Sequence, residues 1–278
     1  MKVYRTRKGI LLEDGGSHYL LENENWDQFI NDDGLYDKLV DRIKTAKPLE
    51  SAEKYLEEEL LAPVQNQEIW ASGVTYYNSK LGREEESKEA GGSNFYARVY
   101  EAKRPELFFK SMGYRAVGPN GKVRKRKDSS WDVPEPELTL SVTSSGKIVG
   151  YTIGNDMSSR SIEGENPLYL PQAKTYDGAA AVGPCILVQK EPLAGNTPIH
   201  MAINRAGKSV YTGSTSLEQL KRSLEELVHY LFLEYSFPHG CLLMTGTGIV
   251  PDSSFNLQSG DEIAISIDGI GTLINCVE

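Results

Sequence analysis

The rhythm of apolar and polar positions divides the chain in two. Over residues 1–65 the runs are short and mixed: "KVYRTR" and "GILLED" alternate as strands do, while "DGLYDKLVDRIK" and "PLESAEKYLEEELLAP" repeat their apolar positions at helical spacing. These runs predict a small N-terminal α/β domain. From about Gln67 the pattern becomes a series of β-like runs bounded by Gly, Pro, Asn and Asp, among them "LTLSV", "KIVGYTI", "GPCILVQ", "IHMAIN", "CLLMT" and "DEIAISI". Gly-containing turns in "TSSGKI" and "NRAGKSV" predict two hairpins. Residues 66–278 are therefore expected to form a β-rich body, and no internal repeat or low-complexity tract interrupts it. One helical segment does: in "TSLEQLKRSLEELVHYL", Leu217, Leu220, Leu224, Leu227 and Leu231 recur at helical spacing, with Thr215 or Ser216 as N-cap. The stripe is expected to pack on a sheet.

Composition narrows the partners. Thirty Lys+Arg against 39 Asp+Glu give a formal charge of −9, the wrong sign for holding a polyanion through a general field, so nucleic acid is not an expected partner. The basic run "GKVRKRKD" reads as a solvated loop. Cys185, Cys241 and Cys276 are far apart and odd in number, which suggests neither a disulfide framework nor a thiolate zinc site. With no signal-peptide core and no long apolar stretch, the expectation is a cytoplasmic protein that does not enter a membrane.

The candidate chemistry starts at "WDVPEPELTLSV", where Glu135 and Glu137 lie two residues apart at the mouth of a strand. Strand residues i and i+2 share a face, so two carboxylates would stand side by side and repel. A divalent ion removes the conflict; oxygen ligation favours Mg²⁺, with Mn²⁺ or Ca²⁺ as competitors. The alternative is a strand start kept soluble by charge. In "KIVGYTIGNDMSSRS" the next strand ends at Asp156, which hairpin pairing would bring beside the two glutamates. Arg160 then offers a planar donor for a substrate carboxylate, or a structural ion pair with one of the acids.

The ordered series "PEPEL", "GYTIGNDMSSR", "ENPLYLPQAK" and "TGTGIVP" resembles the signatures of the fumarylacetoacetate hydrolase superfamily, divalent-metal enzymes acting on 2-oxo acids and related carbonyl compounds. The resemblance runs from about Trp70 to the C-terminus. Within the superfamily, "WASGVTYYNSK", "YARVYEAKRPELFFK" and "GENPLYLPQAK" resemble the 2-keto-3-deoxy-D-arabinonate dehydratases. It implies an α+β, β-rich fold: a mixed β-roll with the metal in a sheet-lined funnel, behind a small N-terminal domain. By the same resemblance Glu135, Glu137 and Asp156 are the metal ligands, Lys174 and Glu106 face the pocket as catalytic groups, and Arg160, Lys110, Thr247 and Ser72 contact substrate. A homodimer or homotetramer is implied too.

One departure bears on the chemistry. Hydrolase members carry a His and Glu pair after a "GLNY"-like strand; here the segment reads "SGVTYYNSKLGREEES", without histidine. His18, His200, His229 and His239 fall in a terminal hairpin, a strand, a helix and a pre-strand turn. Glu84, Glu85 and Glu86 read as a lid or a solvated charge run. The expected reaction is thus Mg²⁺-dependent elimination of water from a 2-keto-3-deoxy sugar acid through a metal-stabilised enolate, with Lys174 or Glu106 moving protons. The alternatives are C–C hydrolysis of acylpyruvates or diketo acids, and a non-catalytic, metal-stabilised binding protein.

Overall fold

Every residue of the strand Pro136–Val142 is buried, although its side chains alternate between apolar and polar. Such a strand needs a partner layer on each face, and the computed structural model, which describes residues 1–79, 81 and 98–278, supplies both. In chain order the strands are β1 (Lys2–Thr6), β2 (Gly9–Asp14), β3 (Ser17–Leu21), β4 (Glu68–Gly73), β5 (Glu106–Met112), β6 (Lys122–Val123), β7 (Asp132–Val133) and β8 (Pro136–Val142). They continue with β9 (Ile148–Asp156), β10 (Ser158–Ser159), β11 (Ala180–Leu187), β12 (Pro198–Arg205), β13 (Lys208–Ser216), β14 (Cys241–Met244), β15 (Glu262–Ile267) and β16 (Gly271–Val277). Helices among the described residues include α1 (Trp26–Ile30), α2 (Leu35–Thr45), α3 (Glu53–Glu58), α4 (Arg160–Glu165), α5 (Leu170–Lys174) and α6 (Leu224–Phe232).

A nine-stranded sheet runs β3-β2-β1-β11-β9-β8-β14-β4-β5, and a five-stranded sheet runs β13-β12-β15-β16-β6. Pairing is antiparallel except between β14 and β4 and between β16 and β6, so this sheet-rich α+β fold is mixed. Leu138, Leu140 and Val142 of β8 join Ile199, Met201, Ile263 and Ile265 in the core between the two sheets. The other face of the large sheet packs Ile69, Ala71, Leu242 and Met244 against Trp26 and Phe29 of α1 and Leu35 and Leu39 of α2. The first strands extend this same sheet, Lys2 and Val3 of β1 pairing with Leu187 and Ile186 of β11.

Both expected hairpins form. Glu137 of β8 faces Gly154 of β9, and β12 turns into β13 through Ala206 and Gly207, both at positive φ as a tight hairpin turn requires. The expected long helix is shorter at its start. Pairing of β12 with β13 continues to Pro198 opposite Ser216, which commits Thr215 and Ser216 to the sheet. Leu217–Gln219 then make one 3₁₀ turn, and the N-cap is Ser223, whose hydroxyl accepts from Glu226 N–H at 3.1 Å. Ser223 and Glu226 have capping-box spacing, a local signal stronger than the leucine repeat. Leu227 and Leu231 remain buried as expected. The basic run is also not wholly a loop: Lys122 and Val123 pair with Cys276 and Val277, and Val123 is fully buried. Among the described residues no helix is long and apolar enough to cross a membrane.

Candidate active site

The site forms where β8 begins and β9 ends. The Glu135 N–H donates to the Asp156 carbonyl at 3.2 Å and the Asp156 N–H to the Glu135 carbonyl at 2.9 Å. Directly opposed residues share a face, as do residues two apart, so Glu135, Glu137 and Asp156 project together. One oxygen from each lies within 4.8 Å of the other two, and all three residues are buried. Burial, reinforced by Asp156 and Glu135, pushes the Glu137 carboxyl well above the ordinary glutamate value; a 2.6 Å hydrogen bond from Gly246 N–H opposes the rise. For Asp156 burial acts in the same upward direction, but Lys110 and Lys174 outweigh it and hold the carboxyl below its ordinary value.

The cations come from different elements. Lys174, the last residue of α5, is fully buried and its Nζ donates to Glu135 Oε2 at 2.8 Å, Asp156 Oδ2 at 3.1 Å and Ser158 Oγ at 2.6 Å. Arg160 opens α4 behind the Ser159 cap, and its Nη2 donates to Glu135 Oε1 at 2.9 Å. Its backbone N–H is tied to the Trp131 carbonyl at 2.8 Å, which fixes where the helix starts. Lys110 on β5 reaches Asp156 Oδ1 at 2.5 Å, the carboxylate oxygen that Lys174 Nζ does not take. Glu135 and Asp156 are each paired with two cations, whereas Glu137 has no ion pair among the described residues and accepts the Gly246 N–H; burying these charges costs desolvation that the pairs offset.

A small cavity opens on this cluster, walled by Ser72, Val74, Phe108, Arg160, Lys174 and Thr247 together with Glu135 and Asp156. Val74 holds a φ of 53°, costly for a β-branched residue, at the cavity wall. The Ser72 hydroxyl is buried and has no hydrogen-bond partner among the described residues. Thr247 Oγ accepts from Ile249 N–H at 3.2 Å. Glu106 of β5 pairs with Gly73 of β4, so close that a Cβ on Gly73 would fall 2.2 Å from Glu106 Oε2. Wider surface clefts beside α6, walled by Phe232 and Leu233 or by Trp70 and Tyr235, hold no comparable carboxylate cluster among the described residues.

The fold therefore gathers Glu135, Glu137, Asp156, Lys174 and Arg160 at one point and puts Ser72 and Thr247 on the cavity wall. Lys110 is fully buried behind Asp156, and Arg160 makes the ion pair that its sequence position also allowed. None of the four histidines lines the cavity. Glu84, Glu85 and Glu86 lie outside the described residues. Two groups were missed by sequence reasoning. Ser158 follows Asp156 by two residues, and the same-face rule that picked out Glu137 could have found it; the Gly246 N–H carried no side-chain signal. The donor set is all oxygen, the Glu137 carboxyl is strained by its neighbours' charge, and both features suit a hard divalent cation.

Residues 102–278 match the fumarylacetoacetate (FAA) hydrolase C-terminal family. A probable 2-keto-3-deoxyxylonate dehydratase of Haloferax volcanii is 46% identical over 224 residues, covering 80% of this chain and 76% of the relative. A 2-dehydro-3-deoxy-D-arabinonate dehydratase of Saccharolobus solfataricus is 41% identical over 223 residues, covering 78% and 73%. A solved 2-keto-3-deoxy-D-arabinonate dehydratase, complexed with magnesium and 2,5-dioxopentanoate, superposes with a TM-score of 0.83 at 32% identity, covering 100% of this chain and 99% of that one.

Proposed function

The chain belongs to the fumarylacetoacetate hydrolase family, and from that premise we propose that it is a Mg²⁺-dependent dehydratase of a 2-keto-3-deoxy sugar acid, 2-keto-3-deoxy-D-arabinonate above all. The observation that carries the proposal is the Lys174 ammonium lying directly on the Glu135 and Asp156 carboxylates, in a cavity whose wall has no histidine. Arabinonate and xylonate differ only at C2 and C3, the centres that the keto and deoxy groups erase. For one C4 configuration, then, the substrates named for the two relatives are a single compound.

Glu135, Glu137 and Asp156 would hold the ion, which when bound supplies a Lewis acid for the 2-oxo oxygen and so acidifies the C3 protons. Lys174 and Glu106 are the two groups we assign to proton transfer: one takes a C3 proton, the other delivers a proton to the hydroxyl leaving C4 as water. Loss of water gives an unsaturated 2-oxo acid that still carries an alcohol at C5. A 2,5-dioxo product requires protons to leave C5 and its hydroxyl and to arrive at C3 and C4, so a pair of proton carriers is used twice. Arg160 and the Ser72 and Thr247 hydroxyls position the carboxylate and hydroxyl groups. A hydrolase must instead activate water beside the substrate, a task given to histidine in the relevant sequence pattern and to no histidine here.

The test is to incubate the Mg²⁺-loaded protein with 2-keto-3-deoxy-D-arabinonate and, separately, with acetylpyruvate, following products by NMR. We expect 2,5-dioxopentanoate from the first and no cleavage of the second. Cleavage of acetylpyruvate without turnover of the sugar acid would make the chain a C–C hydrolase, and inertness towards both would favour a binding protein. We further propose a homodimer or homotetramer, to be read by light scattering. A cytoplasmic location agrees with the absence of disulfides among its three cysteines, all free.

A further inference from the structure

The geometry points to Lys110 as a positioning residue that locks Asp156 and Lys174 to each other, and not as a group that touches substrate. The inference relies on the dehydratase reading only for the identity of the ion and for the role of Lys174.

Lys110 is fully buried. Its ammonium forms an ion pair with Asp156 Oδ1 at 2.5 Å and donates hydrogen bonds to the Met157 carbonyl at 2.9 Å and, in a very short contact, to the Lys174 carbonyl. Lys110 does not line the cavity, and these three oxygens surround its charge outside it. The three oxygens come from the end of β9, the residue after it, and the end of α5. One side chain on β5 therefore ties together the two elements that carry Asp156 and Lys174. A second bond between the same elements, from Thr175 Oγ to the Phe109 carbonyl at 3.1 Å, keeps β5 and α5 from sliding past each other.

Two consequences follow for the site. Lys110 occupies Asp156 Oδ1, so the oxygen that Asp156 presents to the rest of the cluster is Oδ2, on which Lys174 Nζ lies at 3.1 Å. By holding the Lys174 carbonyl, Lys110 also fixes the last turn of α5 and with it the root of the Lys174 side chain. Outer groups of this kind set the orientation of a metal-ligating carboxylate, and their loss typically costs about 10- to 100-fold in metal affinity or activity. A buried cation kept only for packing would be better replaced by an apolar side chain of similar volume.

The experiment has two arms. Calorimetric Mg²⁺ titration and steady-state kinetics of Lys110→Met are expected to show Mg²⁺ binding weakened about 10- to 100-fold. They should also show a lower kcat, with KM changed less than about threefold. Unchanged Mg²⁺ affinity, or a raised KM at unchanged kcat, would overturn the inference and return Lys110 to the substrate contacts. The second arm uses the wild-type protein and decides the matter even where the variant does not fold: a crystal structure with Mg²⁺ and pyruvate. Lys110 Nζ on Asp156 Oδ1 and the Lys174 carbonyl, with the ion on Oδ2, supports the inference; Nζ turned to pyruvate overturns it. An ion bound away from the three carboxylates would instead defeat the dehydratase reading while leaving the Lys110 contacts to be judged on their own.

Discussion

Glu135 and Asp156 are joined twice through their backbones, at 3.2 and 2.9 Å, so the spacing of their carboxylates is set by the sheet and not by side-chain choice. Glu137, two residues on, inherits the same frame, and the charge it adds is the one its surroundings resist most. Glu137→Gln should therefore remove a ligand without moving the others. Calorimetry is expected to show Mg²⁺ affinity lower by more than about a hundredfold, beyond the range for groups outside the ligand set. In EDTA the variant should melt no lower than wild type, because an amide can still accept the Gly246 N–H while relieving repulsion with Glu135 and Asp156. A lower melting temperature in EDTA would mean that the Glu137 charge stabilises the ion-free fold, contrary to this account.

The raised Glu137 carboxyl also sets a pH dependence. As pH rises past the ordinary glutamate value of 4.5, the unfolded chain releases its proton while the native protein keeps it. The native state then binds more protons than the unfolded one, so this group's contribution lowers stability with rising pH until the native carboxyl ionises too. Asp156 has the opposite sign: its depressed carboxyl adds stability above 3.8 that is lost as pH falls below that value. The two windows are separate. Mg²⁺ requires the carboxylate form, so its binding should release protons within the Glu137 window, and the rise in melting temperature with Mg²⁺ should grow with pH across it. Melting curves with EDTA and with Mg²⁺ from pH about 4.5 upward check both trends; a Mg²⁺ effect flat in pH would contradict the assignment.

What the sequence disclosed and what it withheld divide along physical lines. The Glu135, Glu137 and Asp156 cluster follows from the period of a strand and the closure of one hairpin, both local, so it was legible. The α6 start was misplaced because pairing of Pro198 with Ser216 is a long-range decision that overrode the leucine repeat, even though Ser223 and Glu226 marked the true cap. The resemblance alone placed Lys110 at the substrate; its contacts with the Met157 and Lys174 carbonyls arise where the ends of β9 and α5 close over it, which its neighbours in sequence do not show. Gly246 contributes a backbone N–H, which no residue type advertises.

Gly73 offers a test of Glu106 that leaves Glu106 itself intact. A methyl group at residue 73 would stand 2.2 Å from Glu106 Oε2, the movable end of a flexible side chain, so the carboxylate must swing away while the strand pairing of Gly73 with Glu106 is kept. For Gly73→Ala we expect turnover to fall by at least about tenfold, in keeping with a displaced proton carrier, and Mg²⁺ affinity to hold. Wild-type turnover with an alanine at residue 73 would remove Glu106 from the proton-transfer pair.

Ser158 connects two parts of the site: its Oγ lies 2.6 Å from Lys174 Nζ and also donates to the Asp156 carbonyl at 3.0 Å. Ser158→Ala deletes one acceptor for the ammonium and leaves both carboxylates. Lys174 should then have more freedom, and kcat should fall by about 10- to 100-fold with little change in KM. A change confined to KM would place Ser158 among the groups that bind substrate.

Lys174→Met separates proton transfer from electrostatic upkeep of the site. The ammonium holds Glu135 and Asp156 at 2.8 and 3.1 Å, and a methionine of similar length leaves both acids without it. Breaking a buried pair by removing one partner costs about 3–5 kcal/mol, so the variant in EDTA should be clearly less stable than wild type. Mg²⁺ brings positive charge back to the same oxygens, and it should raise the melting temperature of the variant more than that of wild type, with an affinity at least as high. Turnover should nevertheless stay down by at least about a hundredfold at saturating Mg²⁺, because the ion restores charge but carries no proton between C3, C4 and C5. Three measurements decide it: melting curves with and without Mg²⁺, calorimetric affinity, and kcat. If Mg²⁺ affinity collapses together with kcat, Lys174 organises the cluster; if kcat survives, the protons travel by another group.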